Sequence, residues 1–215
     1  MRTIALVAQK GGSGKSTIAI HLACAFQSHG FNTVMLDLDP QASAKEWHDA
    51  REEPLPHVAS IVASRLAREA ADYQDMGTDI LILDTAPHSE STALDAIRMA
   101  DLVIVPCQPS IMDIRAMGKT TSLLQLVPNK PAYAIMNAVQ HHSIQAAQDA
   151  AVTIATHLKL PVAPVALGER VAFNRCLISG LAAQEMEPEG KAAKEIDYLY
   201  QWACKQLGIE ERKAA

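Results

Sequence analysis

A chain of 215 residues with 49% hydrophobic content can bury one sizeable core, and its length favours one α/β domain over two. A net charge of −5 excludes a global basic field, so any nucleic acid must be held by a local patch or by the doubled patch of a dimer. Aromatic residues are only 4%, which leaves the core to Ala, Ile, Leu, Val and Met, and no apolar run reaches the roughly 18 residues of a membrane span.

Along the chain, short β-branched runs alternate with helical patterns. Residues 3–8 read as a strand that begins too early to leave room for a signal peptide. It runs into Gln9-Lys10-Gly11-Gly12-Ser13-Gly14-Lys15-Ser16-Thr17, and a helix follows over 15–29. The glycines let consecutive backbone N–H groups turn towards the phosphates of a nucleoside triphosphate; Lys15 reaches the terminal phosphates and the Ser16 hydroxyl suits Mg²⁺. Gly11, Gly12, Ser13, Gly14 and Thr17 complete the expected cradle. The general pattern has Gly where this chain has Gln9, so the match is to the variant K-G-G-x-G-K-[ST], with Lys10 as a second lysine.

A strand over 33–38 leads into Asp37-Leu38-Asp39-Pro40-Gln41. Strand alternation puts Asp37 and Asp39 on one side, where each raises the other's pKa unless a cation or an ordered water bridges them. A helix cap with a solvated turn is the competing reading. Helices over 42–51 and 60–73 precede a strand over 80–83, which ends in Asp84-Thr85-Ala86-Pro87. An aspartate ending a buried strand beside a phosphate loop is placed to hold Mg²⁺ through water, and residues 85–88 form a loop able to sense the terminal phosphate.

Further strands over 102–105 and 132–136 and helices over 91–99, 111–126 and 143–157 extend the alternation. The segment 161–167 carries two prolines, which limit any strand there to a short or edge piece. Helices over 170–178 and 191–207 follow, separated by the turn-rich 185–190. The pattern predicts one doubly wound, mostly parallel α/β sheet flanked by helices, a single domain over 1–209 with 210–215 as a frayed tail. Cys24, Cys107, Cys176 and Cys204 are scattered without metal-ligand spacing and read as the reduced thiols of a cytoplasmic protein, and the His141-His142 pair reads as a solvated loop.

These motifs resemble the ParA/MinD branch of deviant Walker A P-loop ATPases, and within it the short ParA-type partition ATPases. Lys10 to Ser16, Asp37 to Gln41 and Leu83 to Pro87 match three family motifs in order and spacing, and residues 106–113, 170–180 and 188–193 match more loosely. The resemblance implies an ATP-dependent sandwich dimer in which Lys10 crosses to the partner's phosphates, Asp39 positions the attacking water, and Asp37 and Asp84 support Mg²⁺. It further implies that Asn137 hydrogen-bonds the adenine, although an amide after a strand is equally a turn or capping residue.

The first functional expectation is DNA segregation: the ATP-bound dimer holds nonspecific DNA, and a ParB-like centromere-binding protein stimulates a weak ATPase. Arg170, Arg175, Lys191, Lys194 and Lys205 are the candidate DNA face, interleaved with Glu185, Glu187, Glu189, Glu195 and Asp197. The second keeps the switch and changes the cargo, as in relatives that position chemoreceptor arrays or conjugative transfer complexes. A third, a metabolic enzyme on this scaffold, is disfavoured, since an iron–sulphur carrier would need cysteines near the sensing loop and none follows Asp84 before Cys107. Membrane docking is not expected from the short, charged end over 208–215, nor is operator recognition from a chain that opens directly on its first strand.

Overall fold

The computed structural model describes residues 1–212. Its strands are β1 (Arg2–Leu6), β2 (Thr33–Asp37), β3 (His57–Ser60), β4 (Ile80–Asp84), β5 (Leu102–Cys107), β6 (Ala132–Val139) and β7 (Val162–Gly168). All seven form one parallel sheet in the order β3-β2-β4-β1-β5-β6-β7. β2, β4 and β5 are buried at every residue, which is why they read as continuous apolar runs rather than alternating ones.

The helices are α1 (Lys15–Ser28), α2 (Ser43–Asp49), α3 (Leu66–Asp75), α4 (Glu90–Met99), α5 (Ile111–Gln125), α6 (Ile144–His157), α7 (Val171–Ile178), α8 (Ala183–Met186) and α9 (Lys191–Leu207). Their placement follows from crossover handedness. The chain steps towards β3 through α1 and α2, then back through β4, β5, β6 and β7 by way of α3 to α6. Right-handed crossovers in opposite directions land on opposite faces. Ala44 and Trp47 of α2 accordingly share a core with α1, while Leu66, Ala96, Met117 and Ile154 from α3 to α6 share the other.

Two crossover helices cannot cover one whole face of a seven-stranded sheet, and the C-terminal helices fill the remainder. Ala192, Ile196, Leu199, Tyr200 and Ala203 recur at helical spacing on α9 and pack into the α1 core. The cover is also pinned by polar contacts: Trp47 Nε1 donates to Leu181 O at 3.1 Å, Gln184 Nε2 to His21 O at 2.7 Å, and the Arg51 guanidinium to Glu185 at 2.7 and 2.9 Å.

The structure corrects three expectations. The segment over 60–73 is not one helix: β3 ends at Ser60, a 3₁₀ turn spans Ala63–Arg65, and α3 starts at Leu66. β3 escaped notice because it is a four-residue edge strand in which only Val58 is buried. The turn-rich region over 185–190 shares its first residues with α8. The expected tail over 210–215 is tied down as far as Arg212, whose guanidinium donates to Gly30 O at 2.6 Å and lies 3.9 Å from the Phe31 ring centre. The remainder of that segment lies outside the described residues. The proline-limited 161–167 segment does form an edge strand, β7.

Candidate nucleotide site

The phosphate-loop sequence lies between the carboxyl end of β1 and the start of α1, in the crevice where β1 is flanked by β4 and β5. Chain direction reverses at this point of the sheet, the usual place for a ligand in a doubly wound fold. Gly12 and Gly14 hold φ of +73° and +96°, a left-handed backbone that glycine adopts without penalty. The N-terminus of α1 has no side-chain cap and no acidic residue in its first turn. Its free N–H groups and helix dipole therefore present positive potential to the loop.

Lys15 adds to it. The side chain is buried, and among the described residues it makes no ion pair. Burial lowers its pKa, while Asp84 and Asp39 nearby act in the opposite direction. A buried cation beside uncapped helix N–H groups suits a bound anion.

The carboxylates sort themselves by partner. Asp37 and Asp84 are register neighbours at the ends of β2 and β4, both fully buried. Asp37 is saturated: Oδ1 accepts from Asp39 N at 3.0 Å, and Oδ2 from Ala44 N at 3.0 Å and Lys45 N at 3.2 Å. It caps α2 from the preceding strand, the competing reading noted for this motif, and its pKa is raised by burial against the pull of those N–H groups. Asp84 is the opposite case, with neither oxygen accepting a well-formed hydrogen bond. Burial pushes its carboxyl up to about 7, Asp37 adds to the rise, and the Ser16 hydroxyl and Lys15 oppose it. A buried orphan carboxylate with a hydroxyl nearby fits a hard divalent cation, so the geometry favours Ser16 and Asp84 over Asp37 as holders of Mg²⁺.

Asp39 lies past the end of β2, half-buried, and its Oδ1 accepts from Gln41 N at 3.0 Å in a tight turn. With Pro40, Ala86 and Pro87 it lines a cavity of about 550 Å³. The loop after β4 is anchored at its start, because Thr85 Oγ1 donates to Leu6 O at 2.8 Å, and it ends at the exposed, left-handed His88 with φ of +59°.

Lys10 stands at the rim. Its ammonium meets Asp113 Oδ2 at 2.7 Å, and the Ser110 hydroxyl contacts the same oxygen. Ser110 is also the N-cap of α5, accepting from Asp113 N at 3.1 Å. The motif reading did not single out Asp113, although Ser110-Ile111-Met112-Asp113 has the spacing of a helix cap, which was the available signal.

Asn137 is tied to the phosphate loop by one of its amide hydrogens. It donates from Nδ2 to Ser13 O at 2.8 Å, and Gln108 Nε2 donates to Gly12 O at 3.0 Å. Of the expected DNA face, Arg170 pairs with Glu195, with Nε 3.0 Å from Oε1, and Lys194 lies 3.6 Å from Glu189. Arg175, Lys191 and Lys205 are exposed on α7 and α9. Two of the five thus carry a carboxylate partner, and three are exposed. His141 and His142 sit in an exposed 3₁₀ turn, no cluster with metal-ligand composition occurs among the described residues, and all four cysteines are free and buried.

The comparisons with known proteins agree with this geometry. Residues 4–182 match the family model of the CobQ/CobB/MinD/ParA nucleotide binding domain. A maintenance of carboxysome distribution protein A from Gloeobacter kilaueensis is 26% identical over 214 residues, covering 99% of this chain and 96% of that protein. The chromosome-partitioning ATPase Soj of Thermus thermophilus is 28% identical over 59% of this chain and 63% of its own length. An ATP complex of a McdA variant from Cyanothece superposes with a TM-score of 0.73 at 16% identity, over 99% of this chain and 98% of that one. An all-parallel sheet flanked by helices, a phosphate loop at its reversal point and a family model spanning most of the chain lead to one conclusion: this chain belongs to the CobQ/CobB/MinD/ParA nucleotide-binding family.

Proposed function

We propose that this chain is an ATP-switched positioning ATPase. ATP brings two copies together face to face through Lys10, the paired form holds DNA without sequence preference, and a ParB-like partner protein stimulates a weak hydrolysis that releases it. The observation that carries this reading is the rim of the site. The Lys10 side chain is 42% exposed and has Asp113 as its ion-pair partner, and Ile111 and Met112 beside it are 70% and 68% exposed. A half-exposed cation among exposed apolar side chains, next to a phosphate site, suits a second copy of the same surface.

In this reading Lys15 and the loop amides bind the phosphates, Ser16 and Asp84 hold Mg²⁺, and Asp39 orients the attacking water. The metal would supply charge neutralisation on the phosphates, and the protein's part is chiefly positioning. Light scattering with ATP, ADP and no nucleotide tests it. The parent pairs with ATP only, Lys15→Ala never pairs, and Asp39→Ala stays paired because hydrolysis is lost. A parent that remains solitary at saturating ATP overturns the proposal.

A second reading keeps the switch and exchanges segregating DNA for another cargo. It is favoured by a relative that aligns over 99% of the chain, a carboxysome distribution protein, whereas the partition ATPase Soj aligns over 59% of it. Deleting the gene in its host separates the two: plasmid or chromosome loss supports segregation, and mislocalised protein bodies with faithful DNA inheritance support the second cargo. In both, DNA retention requires ATP and weakens steeply with salt. No membrane attachment enters the proposal, and no helix among the described residues is long and apolar enough to cross a bilayer.

A further inference from the structure

A phosphate loop binds anions only if successive backbone N–H groups converge, and a flexible, glycine-rich segment does not hold that arrangement unaided. Two side-chain amides act on this one. Gln108, in the turn after β5, donates from Nε2 to the carbonyl of Gly12 at 3.0 Å. Asn137, on β6, donates from Nδ2 to the carbonyl of Ser13 at 2.8 Å. These are consecutive peptide units.

In a planar trans peptide the carbonyl of one residue and the N–H of the next point in opposite directions. Holding the Gly12 carbonyl therefore turns the Ser13 N–H away from Gln108, and holding the Ser13 carbonyl turns the Gly14 N–H away from Asn137. The backbone dihedrals agree with this. Gly12 and Gly14 are left-handed at +73° and +96°, whereas Ser13 between them is not. That alternation of hand makes neighbouring N–H groups converge on an anion. The packing is also close: a Cβ on Gly14 would overlap the Asn137 amide nitrogen, so the loop and the amide are fitted to each other.

We propose that Gln108 and Asn137 are positioning residues that set the loop's amides for phosphate. The inference rests on the nucleotide-site reading above. It predicts that losing either amide weakens every ligand carrying the triphosphate, whatever its base.

Calorimetric titration of Asn137→Ala and Gln108→Ala with ATP, GTP and inorganic tripolyphosphate, each with Mg²⁺, tests this. Removing one orienting hydrogen bond raises the dissociation constant about fivefold to tenfold, and by a similar factor for all three ligands. Cooperative melting of the ligand-free variants separates this from misfolding. Gln108 is half-buried outside any strand or helix, so Gln108→Ala carries the test if Asn137→Ala does not fold. Weaker ATP binding by Asn137→Ala with tripolyphosphate unchanged would return that residue to the base and overturn the proposal, as would unchanged affinity for all three. A parent protein that takes up none of the three removes the nucleotide reading itself.

Discussion

The Lys10 ammonium and the Asp113 carboxylate meet at 2.7 Å within one chain, the first on the phosphate loop and the second in the opening turn of α5. Asp113 is only 5% exposed and is fixed by Ser110, so it acts as a rigid seat, while Lys10 at 42% is free to leave. The lysine proposed for the pairing face is thus held on its own subunit, and the proposed pairing would have to displace it.

Asp113→Ala should therefore release Lys10 and lower the ATP concentration at half-maximal pairing by up to about fivefold, the range set by a half-exposed ion pair. Light-scattering titration measures the midpoint. An unchanged or higher midpoint would show that the pair does not compete with association.

The two neighbouring aspartates should respond in opposite senses. Asp37→Ala strands the buried Ala44 N–H and two further donors, and should cost roughly 2–4 kcal/mol of unfolding free energy without nucleotide. Asp84→Asn replaces a buried carboxylate that has no partner, and should leave the ligand-free protein as stable or more stable while abolishing Mg²⁺-dependent nucleotide binding. Urea titrations with and without Mg²⁺ and ATP check both.

A pH effect is expected from a buried histidine on α1, one turn beyond Thr17. His21 is fully buried between α1 and α7, with Nδ1 2.7 Å from Thr17 O and Nε2 3.4 Å from Cys176 Sγ. The neutral ring satisfies both contacts by donating from Nδ1 and accepting the thiol proton at Nε2. Burial lowers its pKa to about 4, with the Thr17 carbonyl and Glu185 opposing. Below pH 6.5 the unfolded chain binds a proton that the folded chain refuses, so this residue's contribution to stability falls from pH 6.5 to about 4 and is constant below that. The loss amounts to about 3 kcal/mol. His21→Leu should show a correspondingly shallower decline in denaturant stability over that range, and equal slopes for parent and variant would refute the assignment.

The C-terminal cover makes the last prediction. Leu199 is fully buried on α9 against the α1 core, and Leu199→Ala should cost about 2–4 kcal/mol. Hydrogen exchange should become faster in α1 as well as in α9, because the two helices share one cluster. Faster exchange confined to α9 would contradict a shared core.

Much of the phosphate site was legible because it is local. A strand, a glycine-rich turn and a helix start within a few residues of one another determine where Lys15 and Ser16 go, and a buried strand ending in Asp84 is readable from its apolar run. The parallel sheet was legible for the same reason, since central strands such as Ile80–Asp84 are apolar throughout and alternate with helical patterns. β3 was not, because an edge strand with one buried residue carries almost no apolar signal.

What the tertiary structure alone decided are relationships between distant segments. Asp37 and Asp84 look alike as acidic strand ends, yet the first is consumed by the N-terminus of α2 and the second is left without a partner. Asn137 and Gln108 reach the phosphate loop from positions 124 and 96 residues away. Local periodicity determines which elements form, because the pattern of burial is written in neighbouring residues. Which side chain meets which carbonyl depends on strand order and crossover hand, and those are settled only when the whole sheet assembles.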